Sequence, residues 1–410
     1  MGRNVDRVAS CDGKGERLAW TCALVDGTEG VSEYDAIVVG CGSMGSAALF
    51  HLANRGRRVL GLEQFDVPNQ MGSSVGTTRI IRLAYAEDPR YVPLLRRAYT
   101  LWHELEQLTD QRLLLQTGSI DAGLRDGAIV SGSTRSCAEH DLPHEVLDAR
   151  MLERRFPGYR LPSDMMAIYQ PQGGFLMSER CVVTHINAAL ARGAQVHGRE
   201  AVTAWEPIDN GRRVRVRTTN AVYVARSLVL TAGPWTGDLT SALRPVAKPE
   251  RQVLLWVQPV VPAHFQLDNF PVFYLEGDEG RFYGSPVYST PGFKIGKYHH
   301  LREQVQPDSV DRVCHPRDED ALRQGIRRYF PGADGPTLAM KVCMFTNTPD
   351  EHFVIDHHPD SRSVVVAAGF SGHGFKFCSV VGEVLADLAL EGGTSMDLTL
   401  FSWHRAALRR

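Results

Sequence analysis

The alternation of apolar and polar positions becomes regular at residue 34. Tyr34-Asp-Ala-Ile-Val-Val39 reads as a buried strand, Gly-Cys-Gly-Ser-Met-Gly45 as a tight turn, Ser46–Arg55 as a helix and Arg58–Glu63 as a second short strand. Together they predict a βαβ unit. A Gly/Ser-rich connection, Asn69–Thr78, leads to a helical period over Pro93–Gln107. Residues 116–170 carry short strand patterns and one small helix, punctuated by Pro157-Gly158 and Pro171–Gly174. A helix over 178–193 precedes strands near 195–206, 212–217 and 222–231, which end in Thr231-Ala-Gly-Pro-Trp235. β-forming residues alternate across Gln252–Gln258, Phe270–Leu275 and Phe282-Tyr283, which predicts antiparallel sheet. The last block, Val364–Gly369 then Gly372–Leu390, predicts a strand, a glycine turn and a helix that return to the first unit.

A chain of 410 residues exceeds the usual size of one core, so two packed domains are expected. Gly40, Gly42 and Gly45 form G-x-G-x-x-G between the first strand and helix, with Ser43 and Met44 inside the turn. In that context backbone N–H groups can approach a pyrophosphate at a helix N-terminus. Glu63 closes the second strand 18 residues beyond Gly45, where a carboxylate can accept hydrogen bonds from ribose hydroxyls and would repel a 2'-phosphate. The motif leaves NAD and FAD both open. The fold class expected is α/β: a Rossmann-type dinucleotide domain built from 34–115, 171–245 and 340–390, capped by a second, mainly antiparallel β domain from 116–170 and 246–339. Residues 391–410 form a C-terminal segment. Residues 1–33 show no sustained period and are expected to be a poorly ordered extension.

Composition narrows the partners. Charged residues make up 22% of the chain and the formal charge is −2, which argues against a nucleic-acid partner and for a small-molecule substrate. The apolar stretch Leu18–Val25 is too short to span a bilayer and lacks signal-peptide flanks, so a soluble cytoplasmic protein is expected. Eight cysteines are scattered without CxxC or Cys/His ligand spacing, which argues against a disulfide framework and against a metal.

Three further segments carry candidate chemistry. In Thr78-Arg79-Ile-Ile-Arg82 two guanidiniums stand three apart, side by side if the segment is helical, and repel unless an anion lies between or beside them. Gly369-Phe-Ser-Gly-His-Gly-Phe-Lys376 combines glycines that admit close backbone approach, Gly372 and Gly374 among them, with a cation just past the turn. Cys343 sits in Lys-Val-Cys-Met-Phe-Thr-Asn-Thr-Pro-Asp-Glu-His.

From Tyr34 to the C-terminus the chain resembles the monomeric sarcosine oxidase/N-methyltryptophan oxidase family of FAD-dependent amine oxidases. The resemblance rests on Ile37–Gly45, Gly76–Arg82 with Tyr91-Val-Pro93, Tyr283–Lys294, Cys343–Asp356 and Ala368–Phe377. It implies FAD, attached covalently through Cys343. It also implies that Arg79 lies against the flavin, that Arg82 and Lys376 clamp a substrate carboxylate, and that Tyr283 shares the substrate site. Lys294, eleven residues after Tyr283, would stand near flavin N5 and stabilise superoxide during reoxidation. The family's site histidine lies four residues after that lysine. Here that position is Tyr298, so a one-residue insertion around Lys297 is inferred and the role falls to His299, with His300 the alternative. Val75 and Phe345 replace a histidine and a tyrosine of sarcosine-specific members, which implies an apolar pocket open to a bulkier amine. The activity implied is oxidation of the C–N bond of an N-methyl amino acid, with O2 reduced to H2O2, by a monomer. N-methyltryptophan, pipecolate, another electron acceptor, or a nucleotide-binding module without redox chemistry remain alternatives.

Overall fold

The computed structural model describes residues 33–289 and 292–409; the expected extension at 1–33 and the cysteines at 11 and 22 lie outside them, apart from Glu33. The apolar run at the start forms the strand Glu33–Val39, fully buried from Ile37 to Val38. It pairs in parallel with Val59–Leu62 on one side and Val222–Leu230 on the other, with Val38 opposite Val229. Gln195–His197 and Ser361–Ala368 extend this parallel core, Val229 facing Val365. Strands covered on both faces lose the polar alternation of a half-exposed sheet, which is why these segments read as continuous apolar runs. Val202–Ile208, Arg213–Thr218 and Val354–His358 complete an eight-stranded sheet by antiparallel pairing. Helices Ser43–Asn54, Val92–Thr109, Ser178–Leu190 and Cys378–Glu391 pack their apolar stripes on one face, around Leu49, Leu95, Trp102, Ile186 and Leu385. Gly382 makes the tightest of these contacts possible: a Cβ there would stand 2.5 Å from Ala47.

A second eight-stranded sheet runs in the order Thr337–Asn347, Lys248–Val257, Phe293–Lys297, Gly280–Ser285, Val272–Gly277, Ser119–Leu124, Met165–Gln170, Glu145–Asp148. Only Val272–Gly277 and Ser119–Leu124 pair in parallel. Its core stacks Tyr159 on Phe270 at 4.3 Å and gathers Phe273, Phe282, Phe293 and Phe330. Helix Pro316–Tyr329 covers one part of it. There Asp318, fully buried, takes a bidentate hydrogen bond from Arg251 at 2.8 Å and lies 3.0 Å from His300 Nε2. The strand Thr337–Asn347, which carries Cys343, is an edge of this second sheet through its long pairing with Lys248–Val257. The boundary expected at 340 therefore moves past Asn347: alternation along that strand could not show which sheet it joins. A third, three-stranded sheet, Thr78–Ile81, Gly174–Met177 and Leu114–Gln116, carries the Thr78-Arg79 segment. Among the described residues no helix is long and apolar enough to cross a membrane, and no group of His, Cys, Asp or Glu could hold a metal ion.

Candidate active site

The glycine turn builds the first half of the site. Gly40 has φ +87°, and a Cβ on it would stand 2.6 Å from Thr231 O, so only glycine lets the turn pass Thr231. A Cβ on Gly45 would meet Gly40 O at 1.8 Å, which is how closely the helix start seats on the strand end. Gly42 faces the cavity, and no side chain caps the helix that begins at Ser43. Its first N–H groups are left for a ligand. Glu63 accepts hydrogen bonds from the N–H of Cys41 at 2.9 Å and of Phe65 at 3.0 Å. Burial raises the Glu63 carboxyl above its ordinary range, and these amides oppose the shift. Gly40, Gly42, Ser43, Met44, Glu63, Trp235 and the 369–375 loop line one cavity of about 330 Å³.

That cavity meets a smaller one of about 60 Å³, with Arg79, Phe345, Gly372 and Phe375 in the walls of both. The smaller cavity is also lined by Thr78, Arg82, Glu87, Tyr274, Tyr283, Lys294, Tyr298 and Lys376. Glycine again sets the approach: Gly372 has φ +78° and a Cβ there would lie 2.4 Å from the Phe345 ring. A dinucleotide cofactor held along the first cavity would bring one end to the second. The helix N-terminus without a cap, the glycines at which a Cβ would collide and the Glu63 carboxylate in the cavity wall fit a dinucleotide cofactor such as FAD.

Thr78–Ile81 is a strand, not the helix on which Arg79 and Arg82 would stand side by side. The two cations consequently have separate surroundings. Arg79 donates to Thr78 O at 2.9 Å, to Ser73 O at 3.0 Å and to Val75 O. Arg82, 3% exposed, lies against the rings of Tyr85 and Tyr274 and takes Glu87 at 3.2 Å as an ion partner. Its Nε stands 3.1 Å from Asp121 Oδ1, off the line of an aligned hydrogen bond. Asp121 and Glu87 hold its charge against desolvation. Lys376 is buried over the Tyr85 ring and donates to His373 O at 2.8 Å. Burial, then the neighbouring Arg82, push its pKa down to about 7. Arg82 and Lys376 thus share one small cavity whose wall also holds the Glu87 carboxylate.

Lys294 is held from below. The segment Gly76-Thr77, with φ +115° and +67°, is clamped by Glu179 at the start of helix Ser178–Leu190, which accepts from both N–H groups at 2.8 and 3.0 Å. Lys294 Nζ donates to Gly76 O at 2.8 Å, Thr78 O at 2.6 Å and Thr78 Oγ1 at 3.2 Å. Burial and Arg79 lower its pKa well below the ordinary lysine value, and Glu179 opposes them. Cys343 lies 1% exposed beside Val75, Leu254 and Trp256, next to Lys294 and Arg79. Burial raises its thiol pKa while those cations pull it back. Its neighbours Met344 and Phe345 line the cavities, and Cys343 itself lies in the layer behind them.

His299 does not line the cavity. It bridges Glu250 at 3.1 Å and Glu351 at 2.8 Å, and these carboxylates raise its pKa to about 9. His300 is committed to Asp318. The residue four after Lys294, Tyr298, forms the wall, with its ring 5.6 Å from Tyr283 and 5.4 Å from Phe345. The strand Phe293–Lys297 runs on unbroken to Tyr298, so the position four residues after Lys294 is the one on the wall. Val75 likewise lies beneath the cavity and not on it. Sequence reasoning missed Glu87, Asp121 and Tyr274, which no motif marks. The one available signal was the buried Arg82, whose charge required counter-ions.

A pH dependence follows. Lys376 is cationic below about 7, so affinity for a simple carboxylate such as acetate should fall by up to about tenfold per pH unit as pH rises from 7 to 9. Titration at several pH values checks it, and Lys376→Met should flatten the profile.

The FAD dependent oxidoreductase (DAO) family profile matches residues 35–388. The chain is 43% identical over 383 residues to the monomeric sarcosine oxidase of Streptomyces avermitilis, covering 91% of this chain and 98% of that protein. It is 35% identical over 377 residues to the N-methyl-L-tryptophan oxidase of Yersinia pestis, covering 91% and 99%. Among solved structures, the open form of NikD, an unusual amino acid oxidase, matches with a TM-score of 0.78 and 27% identity over 90% of this chain and 97% of that one. L-proline dehydrogenase from P. horikoshii, 20% identical over 91% and 97%, shares the fold at a TM-score of 0.77. With a family match over residues 35–388 and near-complete coverage of relatives up to 43% identical, the chain belongs to the DAO family of FAD-dependent oxidoreductases.

Proposed function

We propose that this enzyme oxidises the C–N bond of a small N-methyl amino acid, sarcosine fitting best, with oxygen as the electron acceptor. The observation that carries the reading is the pair of buried cations, Arg82 and Lys376, in a cavity of about 60 Å³ that shares Arg79, Phe345, Gly372 and Phe375 with the cofactor cavity. That volume is small, and the rings of Tyr274, Tyr283 and Tyr298 stand in its wall. The small cavity favours sarcosine over an indole-bearing substrate, although Phe345 is apolar.

Bound FAD supplies a two-electron acceptor that takes a hydride equivalent from the carbon beside the amine nitrogen and is reoxidised by O2, giving H2O2. The protein positions and solvates. Arg82 and Lys376 hold the carboxylate, displacing Glu87 from the guanidinium. Tyr283, Tyr298 and Phe345 wall the amine end with ring faces and hold water away. Lys294 keeps a proton-bearing nitrogen at the cavity wall through three oxygen acceptors. Water then hydrolyses the imine product, giving glycine and formaldehyde from sarcosine. The enzyme acts as a monomer in this reading.

Anaerobic addition of sarcosine, N-methyltryptophan and pipecolate, followed by air, tests it. Sarcosine should bleach the flavin fastest and return peroxide on reoxidation. Bleaching without peroxide would assign another electron acceptor, and no bleaching by any of the three would overturn the reading.

Covalent attachment through Cys343 is supported by its place directly before Met344 and Phe345, which line the cofactor cavity, and by Arg79 and Lys294, whose charges oppose the rise that burial imposes on its thiol pKa. Acid precipitation of wild type should give a yellow pellet and of Cys343→Ser a colourless one with flavin in the supernatant. A yellow pellet from both would remove the link.

A further inference from the structure

One buried carboxylate near the cavity has no part in the reaction described so far. Asp121, on the strand Ser119–Leu124, is 1% exposed and comes within 3.1 Å of Arg82 Nε. Its other oxygen accepts from Ser133 Oγ at 2.6 Å. Ser133 belongs to helix Ala128–Glu139, whose small residues Gly132, Ser133 and Ser136 lie against the segment that follows Arg82. A Cβ on Gly132 would stand 2.1 Å from Ala86 O, so the helix touches this backbone directly. Ser136 Oγ donates to Tyr85 O at 2.6 Å and Ser133 Oγ lies 3.5 Å from Ala84 O. Three successive residues of the segment, 84 to 86, are thereby pinned from one side.

A guanidinium presents two edges to carboxylates, one through Nε and one through its two Nη atoms. Here the Nε edge stands against Asp121 as an ion contact at 3.1 Å, with the carboxylate held in place by its strand and by Ser133, while Nη1 also donates to Ala84 O at 3.3 Å. Both Nη atoms face Glu87, at 3.2 to 3.4 Å. These contacts are long for a charge-assisted pair, and Glu87 is 16% exposed where Asp121 is 1%. We propose that Asp121, backed by Gly132, Ser133 and Ser136, is a positioning residue that fixes Arg82 with both Nη atoms in the cavity, so that a substrate carboxylate exchanges with Glu87 alone. The proposal rests on the assignment of Arg82 as a carboxylate ligand. Glu87 and the incoming carboxylate occupy the same seat and feel the Asp121 charge alike, so removing that charge cancels in the exchange and the loss of orientation remains. An untethered Arg82 also turns more fully to Glu87, a competitor held at high effective concentration by the chain.

The test uses the flavin-loaded enzyme and needs no turnover for its first arm. Calorimetric titration with acetate should show the dissociation constant raised about tenfold or more in Asp121→Asn and about threefold in Ser133→Ala. In the second arm, KM for sarcosine should rise by a similar factor while the limiting rate of flavin reduction stays within about twofold, and KM for N-methylpropylamine, which has no carboxylate, should not move. Acetate bound as tightly as by wild type in both variants overturns the proposal, as does an equal loss for the carboxylate-free amine, which would mark a general structural role. Should Asp121→Asn fail to load flavin, Ser133→Ala decides alone: an unchanged acetate constant is the overturning result. If wild type binds acetate but is not reduced by sarcosine, the substrate assignment fails while the acetate arm still judges Asp121.

Discussion

Lys294→Met should slow reoxidation of the reduced flavin by about 10²–10³-fold and leave its reduction by substrate within a few-fold. Removing one preorganised charge-stabilising group from a water-excluded site costs that much when charge develops in the transition state. The step in question is the first electron reaching oxygen, where a neutral molecule becomes an anion. Lys294 is placed for it: its nitrogen is buried at the wall of the small cavity, fixed by Gly76 O, Thr78 O and Thr78 Oγ1. Burial and Arg79 lower its pKa well below the ordinary value, so developing negative charge beside it would restore its proton affinity. Methionine keeps the volume and removes the proton-bearing nitrogen that would answer the developing charge. Stopped-flow mixing of the reduced enzyme with oxygen, and separately of the oxidised enzyme with substrate, distinguishes the two half-reactions. A variant that loses only substrate affinity would place Lys294 in binding.

For Arg82→Ala the expected result is an apparent dissociation constant for a carboxylate substrate raised by roughly 30-fold to several thousand-fold, since truncating one member of a buried charge pair costs about 2–5 kcal/mol. The variant also leaves Asp121 and Glu87 without their cation. Asp121 already has its pKa raised to about 6 by burial despite Arg82, and removal of the guanidinium raises it further. A carboxyl whose folded pKa exceeds its unfolded one loses stability as pH rises above the unfolded value. The thermal midpoint of Arg82→Ala should therefore drop more, relative to wild type, at pH 8 than at pH 5.5. Wild-type-like substrate affinity in a folded, flavin-loaded variant would remove Arg82 from the carboxylate site.

How much of this was legible without coordinates depends on the range of the interaction. The dinucleotide half was legible because its signals are local: Gly40, Gly42 and Gly45 recur at fixed spacing between one strand and its helix, and Glu63 stands at the end of the next strand, while the distant Thr231 that makes glycine necessary at position 40 showed only in the fold. The continuous apolar runs at Ile37–Val39 and Val364–Val366 likewise report burial on both faces. Arg79, Arg82, Lys294, Cys343 and Lys376 were singled out from motif resemblance, and the fold brings them from four separate segments to one place.

What only the tertiary structure decided is which side chain faces the cavity and what counters its charge. His299 was chosen by alignment of spacing, but the strand ends at Lys297 with Tyr298 on the wall, and the turn that follows, with His299 at φ +52°, sends His299 to Glu250 and Glu351. The assignment of Cys343 to the second sheet depends on pairing with Lys248–Val257, a long-range contact that periodicity along one strand cannot encode. Asp121 and Glu87 belong to no motif, one on a distant strand and one on the loop after Arg82. The sequence by itself marked the dinucleotide turn and, through family resemblance, the cations proposed here to meet a substrate. The carboxylates that balance those cations, and the size of the cavity left between them, were decided by packing, because a buried charge selects its partner by distance in space.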